Sequence, residues 1–224
     1  MAPACRVWIM ASGNGSNFQA LYDACAGGEI PNSTITRLIV NRSKAYAIQR
    51  AEQGGIPYEY FNLISHGFLA KSEKDTQKIQ EAREKYDAAL AAKVLNSDPR
   101  PQLIVLAGWM HVFSKQFLSP LEAEGIQVIN LHPALPGKYE GANAIERAFT
   151  DFQAGKLEDN KTGIMVHHVI EQVDQGSAIM TREIECHQGE DLQQLEERIH
   201  SKEHKLIVEA TAYIVRKILA DTEE

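Results

Sequence analysis

The stretch Val128-Ile129-Asn130-Leu131-His132-Pro133 closes an apolar run with an amide and an imidazole two residues apart. Side chains alternate along a strand, so Asn130 and His132 share one face. Pro133 has no N–H with which to extend a ladder, so the strand stops there and the imidazole sits at its mouth. A hydrogen-bond donor beside a titratable base, at the carboxyl end of a strand, is how α/β proteins assemble reaction centres. Taken alone, the six residues read equally well as a strand end with two satisfied polar groups.

Strands and helices alternate outward from this point. Residues 6–10 read as a buried strand, and the helix after residue 17 shows Phe18, Leu21, Tyr22 and Cys25 on one apolar face before Gly27-Gly28 ends it. A strand at 35–40, a helix at 45–53 stopped by Gly54-Gly55, and a short strand at 58–61 follow. A polar insertion at 62–78 leads into a helix carrying Tyr86, Leu90 and Val94. Next come an apolar strand at 103–107, a helix capped by Ser114, and the strand at 127–131. Past a Pro- and Gly-rich loop and a helix at 145–152 the pattern changes. Strands at 162–169 and 178–184, joined through Asp174-Gln175-Gly176, form an antiparallel pair, and a long helix over 192–219 precedes a frayed Glu-Glu end.

Such alternation predicts an α/β fold: an open, mostly parallel twisted sheet with helices on both faces, closed by an antiparallel strand pair and the long helix. The length fits one large domain over residues 1–224.

The formal charge of −7 argues against a nucleic-acid surface, where a concentrated positive patch supplies most of the affinity. Cys5, Cys25 and Cys186 are odd in number and widely spaced, so neither a disulfide framework nor a structural zinc site is expected. No apolar run reaches membrane-spanning length and no cleavage pattern follows a basic start, which reads as cytoplasmic with no membrane partner.

Ser12-Gly13-Asn14-Gly15-Ser16-Asn17 lies between the first strand and the first helix, where such sheets bind phosphate through free helix-start amides. A dinucleotide fingerprint needs a third Gly where Phe18 stands, and a Walker loop needs a Gly-Lys-Ser or Gly-Lys-Thr ending. A phosphomonoester fits better. The bland alternative is a tight turn with Ser16 as N-cap. Asp174 sits in a turn, where Asp is common for conformational reasons; the functional alternative brings its carboxylate to His132, raising the imidazole pKa and relaying a proton. His167-His168 lie on a strand, so only one faces inward, and these, like His187, His200 and His204, read mostly as surface or core-edge residues.

With these residues in hand, the chain resembles the phosphoribosylglycinamide formyltransferases, a folate-dependent formyltransferase family. Ser-Gly-Asn-Gly-Ser-Asn at 12–17 is similar to the family's ribonucleotide-phosphate loop, and Leu-Ala-Gly-Trp-Met at 106–110 to its folate-side segment. Ile-Asn-Leu-His-Pro at 129–133 resembles its catalytic strand, and Val-Asp-Gln-Gly at 173–176 stands where the family has its catalytic Asp. The resemblance implies Asn130, His132 and Asp174 as the catalytic trio, and Gly13, Asn14, Gly15, Ser16, Asn17 and Glu203 at the ribonucleotide. It places Met110, His111, Val112, Phe113 and Asn130 at the folate, largely through backbone groups, with Arg83 toward the folate's glutamate tail. Residues 1–105 then make a ribonucleotide-binding half of the Rossmann-like formyltransferase fold, and 106–224 a folate-binding, catalytic half.

Three departures stand out. Trp109 and His111 occupy positions where Phe and Arg are usual, the loop after His132 reads Pro-Ala-Leu-Pro-Gly in place of Pro-Ser-Leu-Leu-Pro, and the 62–78 insertion is longer than in compact bacterial members. The activity implied is transfer of the formyl group of 10-formyltetrahydrofolate, as co-substrate, to the amine of 5-phosphoribosylglycinamide in purine biosynthesis. Both partners are small molecules, no metal takes part, and oligomeric state is left open. The alternatives are a 10-formyltetrahydrofolate hydrolase, which commonly has an additional N-terminal domain, and a noncatalytic nucleotide-binding sensor on the same scaffold.

Overall fold

The computed structural model describes residues 4–221, so the Glu223-Glu224 end lies outside the described residues. The first half runs β1 (Cys5–Ala11), α1 (Ser16–Gly27), β2 (Ser33–Val40), α2 (Ala47–Gln53), β3 (Tyr58–Tyr60) and α3 (Thr76–Leu95). The second runs β4 (Leu103–Leu106), α4 (Lys115–Ala123), β5 (Gln127–His132), α5 (Ala144–Gln153), β6 (Lys161–His168), β7 (Ala178–Glu185) and α6 (Leu192–Asp221). A 3-10 turn at Glu158–Asn160, which the sequence did not suggest, leads into β6.

The strands form one seven-stranded sheet in the order β3-β2-β1-β4-β5-β6-β7. Pairings among β1 to β5 are parallel, while β5–β6 and β6–β7 are antiparallel. Period-two alternation splits the core into two layers. Val7, Ile9, Ile129 and Leu131 pack with residues of α1, α2, α5 and α6, whereas Trp8, Met10, Ile104 and Val128 pack with residues of α3 and α4. Both faces are thus covered, as parallel strands require.

Local chemistry explains the boundaries. The Asp75 carboxylate accepts from the Gln77 and Lys78 amides and starts α3, so the last residues of the expected insertion are helical. Ser114 caps α4 by accepting from the Gln116 amide. The remainder of the insertion is packed: Phe68 lies edge-on to Phe61 and to Tyr86, at 5.8 and 5.6 Å between ring centres.

β1 is flanked by β2 on one side and β4 on the other, so the chain winds outward in both directions from there. That reversal opens a crevice beyond the carboxyl ends of β1 and β4. The loops bordering it are tied together: the Ser12 amide donates to the Gly108 carbonyl at 3.0 Å, and the Met110 amide donates to Ser12 Oγ at 2.8 Å. No helix among the described residues is long and apolar enough to cross a membrane.

Candidate active site

On β5, Val128 belongs to one core layer and Ile129 and Leu131 to the other, which leaves Asn130 and His132 on the Val128 face. Antiparallel register sets Asn130 opposite His167 and His132 opposite Met165. The connector from β6 to β7 then returns over this edge. Asp174 adopts the left-handed conformation there (φ 57°), which Asp tolerates better than most residues. Gly176 is needed two residues on, because a Cβ would collide with the His168 carbonyl.

The Asp174 carboxylate gathers four groups. Oδ2 accepts from the Gly141 amide at 2.9 Å and lies 3.3 Å from His132 Nδ1. Oδ1 lies 3.4 Å from both Asn130 Nδ2 and His167 Nε2. The contacts to the two rings are longer than the ~2.7–2.9 Å of a charge-assisted hydrogen bond, so neither is a tight ion pair at rest. His167 is 2% exposed and donates from Nδ1 to the His168 carbonyl at 2.9 Å. Its Nε2 is therefore left facing Asn130 Nδ2 at 3.2 Å. The sequence grouped His167 with core-edge histidines; the structure puts it against two of the proposed trio.

Electrostatics corrects one expectation. Burial holds the His132 pKa below its ordinary value; the Asp174 charge and the Tyr139 carbonyl push it upward but do not prevail. The resting imidazole is therefore neutral at pH 7. Its other nitrogen, Nε2, lies 3.1 Å from the Tyr139 carbonyl, so both ring nitrogens face oxygen. That setting favours the proton's arrival once negative charge develops nearby. Burial pushes the Asp174 carboxyl up, but the approach of the His167 ring, the bond from the Gly141 amide and the neighbouring imidazoles bring it below the ordinary carboxylate range.

At the crevice, loop 12–17 joins β1 to α1 and departs from the tight-turn alternative at its cap. The N-cap of α1 is Gly15, in the left-handed conformation (φ 76°), and not Ser16, which is the first helical residue. No side chain caps the helix, so its first amides stay available. Asn17 donates from Nδ2 to Glu203 Oε2 at 3.4 Å across 186 residues of sequence. Glu203 is 7% exposed, and burial raises its pKa against the opposing effects of His200 and the Asn17 bond.

Beyond β4, Met110 and Val112 are exposed while Trp109 and Phe113 are buried and stacked on each other. His111 turns inward: its Nε2 lies 2.6 Å from Asp87 Oδ1, and the fully buried Asp87 also accepts from the Ser114 amide and hydroxyl. So the side chains of His111 and Phe113 brace the segment, and contact from these two with a ligand is left to the backbone. Arg83 lies one helical turn before Asp87 on α3, half-buried. In the altered loop after His132, Leu135 packs over Gly163 of β6, where a Cβ would strike its side chain.

A profile of the formyl transferase family matches residues 5–211. The chain belongs to that family. Among its relatives it is 41% identical to the phosphoribosylglycinamide formyltransferase of Schizosaccharomyces pombe, covering 92% of this chain and 95% of that one. It is 39% identical to the enzyme of the same name from Dictyostelium discoideum, over 94% of this chain and 98% of the other. The phosphoribosylglycinamide formyltransferase structure from Coxiella burnetii superposes with a TM-score of 0.76 at 29% identity, covering 96% and 88% of the two chains. The fold expected from alternating elements, with an antiparallel pair and a long final helix, is that of these formyl transferases.

Within this formyl transferase, Asn130, His132 and Asp174 come together, and so do Asn17 and Glu203. His167 and Asp87 escaped the sequence reading. Two adjacent histidines on a strand signalled that one faced inward, but the register that aims it at Asn130 is not written in the local pattern. Asp87 carried no signal beyond a lone acid on an apolar helix face.

Proposed function

We propose that the chain transfers the formyl group of 10-formyltetrahydrofolate to the primary amine of 5-phosphoribosylglycinamide, giving formylglycinamide ribonucleotide and tetrahydrofolate. The observation that carries this reading is the convergence of Asn130, His132 and His167 on the one carboxylate of Asp174.

In this reading the amine attacks the formyl carbon and a tetrahedral intermediate forms. The Asn130 amide donates to the developing oxyanion, a contribution of roughly 3 kcal/mol for one oriented donor. His132, neutral at rest, takes up the proton that the attacking amine sheds, with Asp174 favouring the charged ring, and becomes the second donor to the oxyanion. A water held by Asp174 then passes that proton from His132 to the leaving folate nitrogen. The new carbon–nitrogen bond forms on attack, and the bond from the formyl carbon to the folate nitrogen breaks as the intermediate collapses and the carbonyl re-forms, with no net change in protons. Gly13, Asn14, Gly15, Ser16 and Asn17 hold the substrate phosphate and Glu203 the ribonucleotide. Met110, His111, Val112 and Phe113 line the folate side through main-chain groups, Asn130 reaches the formyl end, and Arg83 meets the glutamate tail. Residues 1–105 act as the ribonucleotide half and 106–224 as the folate and catalytic half, with Glu203 reaching across. End-to-end binding supplies much of the acceleration by positioning. In this reading the reaction takes place in the cytoplasm.

An absorbance assay for deformylated folate tests the reading. Release that requires the ribonucleotide supports transfer. Release without it supports hydrolysis, and no release supports a binding role; either rejects the proposal.

A further inference from the structure

Arg50, on α2, is remote in sequence from every residue assigned above, yet its guanidinium is committed to the phosphate loop. Its Nε donates to the Asn14 carbonyl at 3.0 Å and its Nη2 to Asn14 Oδ1 at 3.1 Å. A longer contact of 3.5 Å runs from Nη1 to Gln19 Oε1 on the first turns of α1. The guanidinium also lies over the Tyr46 ring, 5.0 Å from its centre, which restricts its orientation.

The rest of α2 presses on the same loop. The Ala47 amide donates to the Gly13 carbonyl at 3.2 Å. A Cβ at Gly15 would lie 2.7 Å from the Ala47 methyl, so the loop backbone rests directly on the start of α2. The Arg50 charge is felt by His204 as well, the neighbour of Glu203 on α6: after burial and His200, it helps to hold that imidazole's pKa down. The cation is therefore held against the loop, within electrostatic reach of the neighbour of Glu203.

A forked, planar donor that takes both oxygens of one residue fixes that residue's backbone and side chain together, which a lysine cannot do. We propose that Arg50 is a positioning residue for the ribonucleotide phosphate. It locks Asn14 so that the amides of Gly15, Ser16 and Asn17 converge on one anion, and it lends a permanent positive charge to a chain that is acidic overall. This rests on the ribonucleotide reading of loop 12–17.

The test compares wild type with Arg50→Met and Arg50→Lys. In Arg50→Met the KM for the ribonucleotide should rise about tenfold, the loss of roughly one charged hydrogen bond, with the KM for formyl-folate and kcat within about twofold. Arg50→Lys should recover only part of the loss. For a glycinamide riboside lacking the phosphate, wild type and Arg50→Met should have equal kcat/KM. An unchanged ribonucleotide KM, full rescue by Lys, or an equal loss on the phosphate-free substrate overturns the proposal. If wild type transfers no formyl group, the functional reading fails separately, and calorimetric titration with inorganic phosphate still decides the role of Arg50. Binding about tenfold weaker in Arg50→Met supports it, and equal affinities overturn it.

Discussion

Replacing Asp174 by Asn keeps the side chain's shape and removes its charge, which isolates what the carboxylate does. Its oxygens now accept from the Gly141 amide at 2.9 Å and face His132, His167 and Asn130 at 3.3–3.4 Å. An amide has only one acceptor oxygen, and the strong Gly141 contact will claim it. The amide nitrogen then turns toward Asn130 and His167, where it meets another donor, and His132 loses the charge that favours its protonated form. Losing one charge-assisted contact in the transition state costs about 1.5–3 kcal/mol. The proton relay contributes typically about 10²- to 10⁴-fold more. Turnover should therefore fall at least about 10²-fold, while both KM values change by less than about threefold, because Asp174 touches neither the phosphate loop nor the 110–113 segment. Steady-state absorbance of deformylated folate reads this directly. Turnover within threefold of wild type would refute the reasoning, and so would a loss confined to KM.

Further expectations follow from the same geometry. The His132 ring, followed by NMR, should titrate with a midpoint below about 6.5, and lower still in Asp174→Asn, since the aspartate pushes it up against burial; an upward move would contradict the assignment. A group whose folded pKa is depressed binds fewer protons folded than unfolded, so stability is lost as pH falls. His132 should contribute such a loss below about 6.5 and Asp174 below about 4, both visible in melting temperatures. Gly176→Ala, whose added methyl would strike the His168 carbonyl, should displace the connector bearing Asp174 and lower kcat at least tenfold, and wild-type kcat would disprove the link. Asp87→Asn should weaken formyl-folate binding more than ribonucleotide binding by loosening the His111 and Ser114 anchors, and isothermal calorimetry showing equal effects would count against that role.

The parts of this account that were legible in the sequence are those written in a local period. Alternation fixed the shared face of Asn130 and His132, and the spacing of Phe18, Leu21 and Cys25 marked α1. Capping chemistry revealed Ser114 as the cap of α4, while the bland alternative of a Ser16 cap on α1 fails, because a left-handed glycine can cap without a side chain. What no local period shows depends on long-range register or aperiodic backbone, and there the family resemblance, not the pattern, pointed to Asp174 and Glu203. Asp174 reaches His132 through a left-handed residue in a connector with no period, and Glu203 reaches Asn17 from the last helix. His132 was expected to be raised by its aspartate. The sequence shows the aspartate but not how thoroughly the ring is buried, and burial decides the direction.

The central claim is that Asp174 acts through His132 as one unit, and a double-mutant cycle measures that directly. If the two side chains serve one step, His132→Ala with Asp174→Asn should be no slower than about the worse single variant, since partners in a catalytic unit are strongly non-additive. Losses that multiply, each substitution exacting its full effect in the presence of the other, would show that the two residues work independently and would contradict the account.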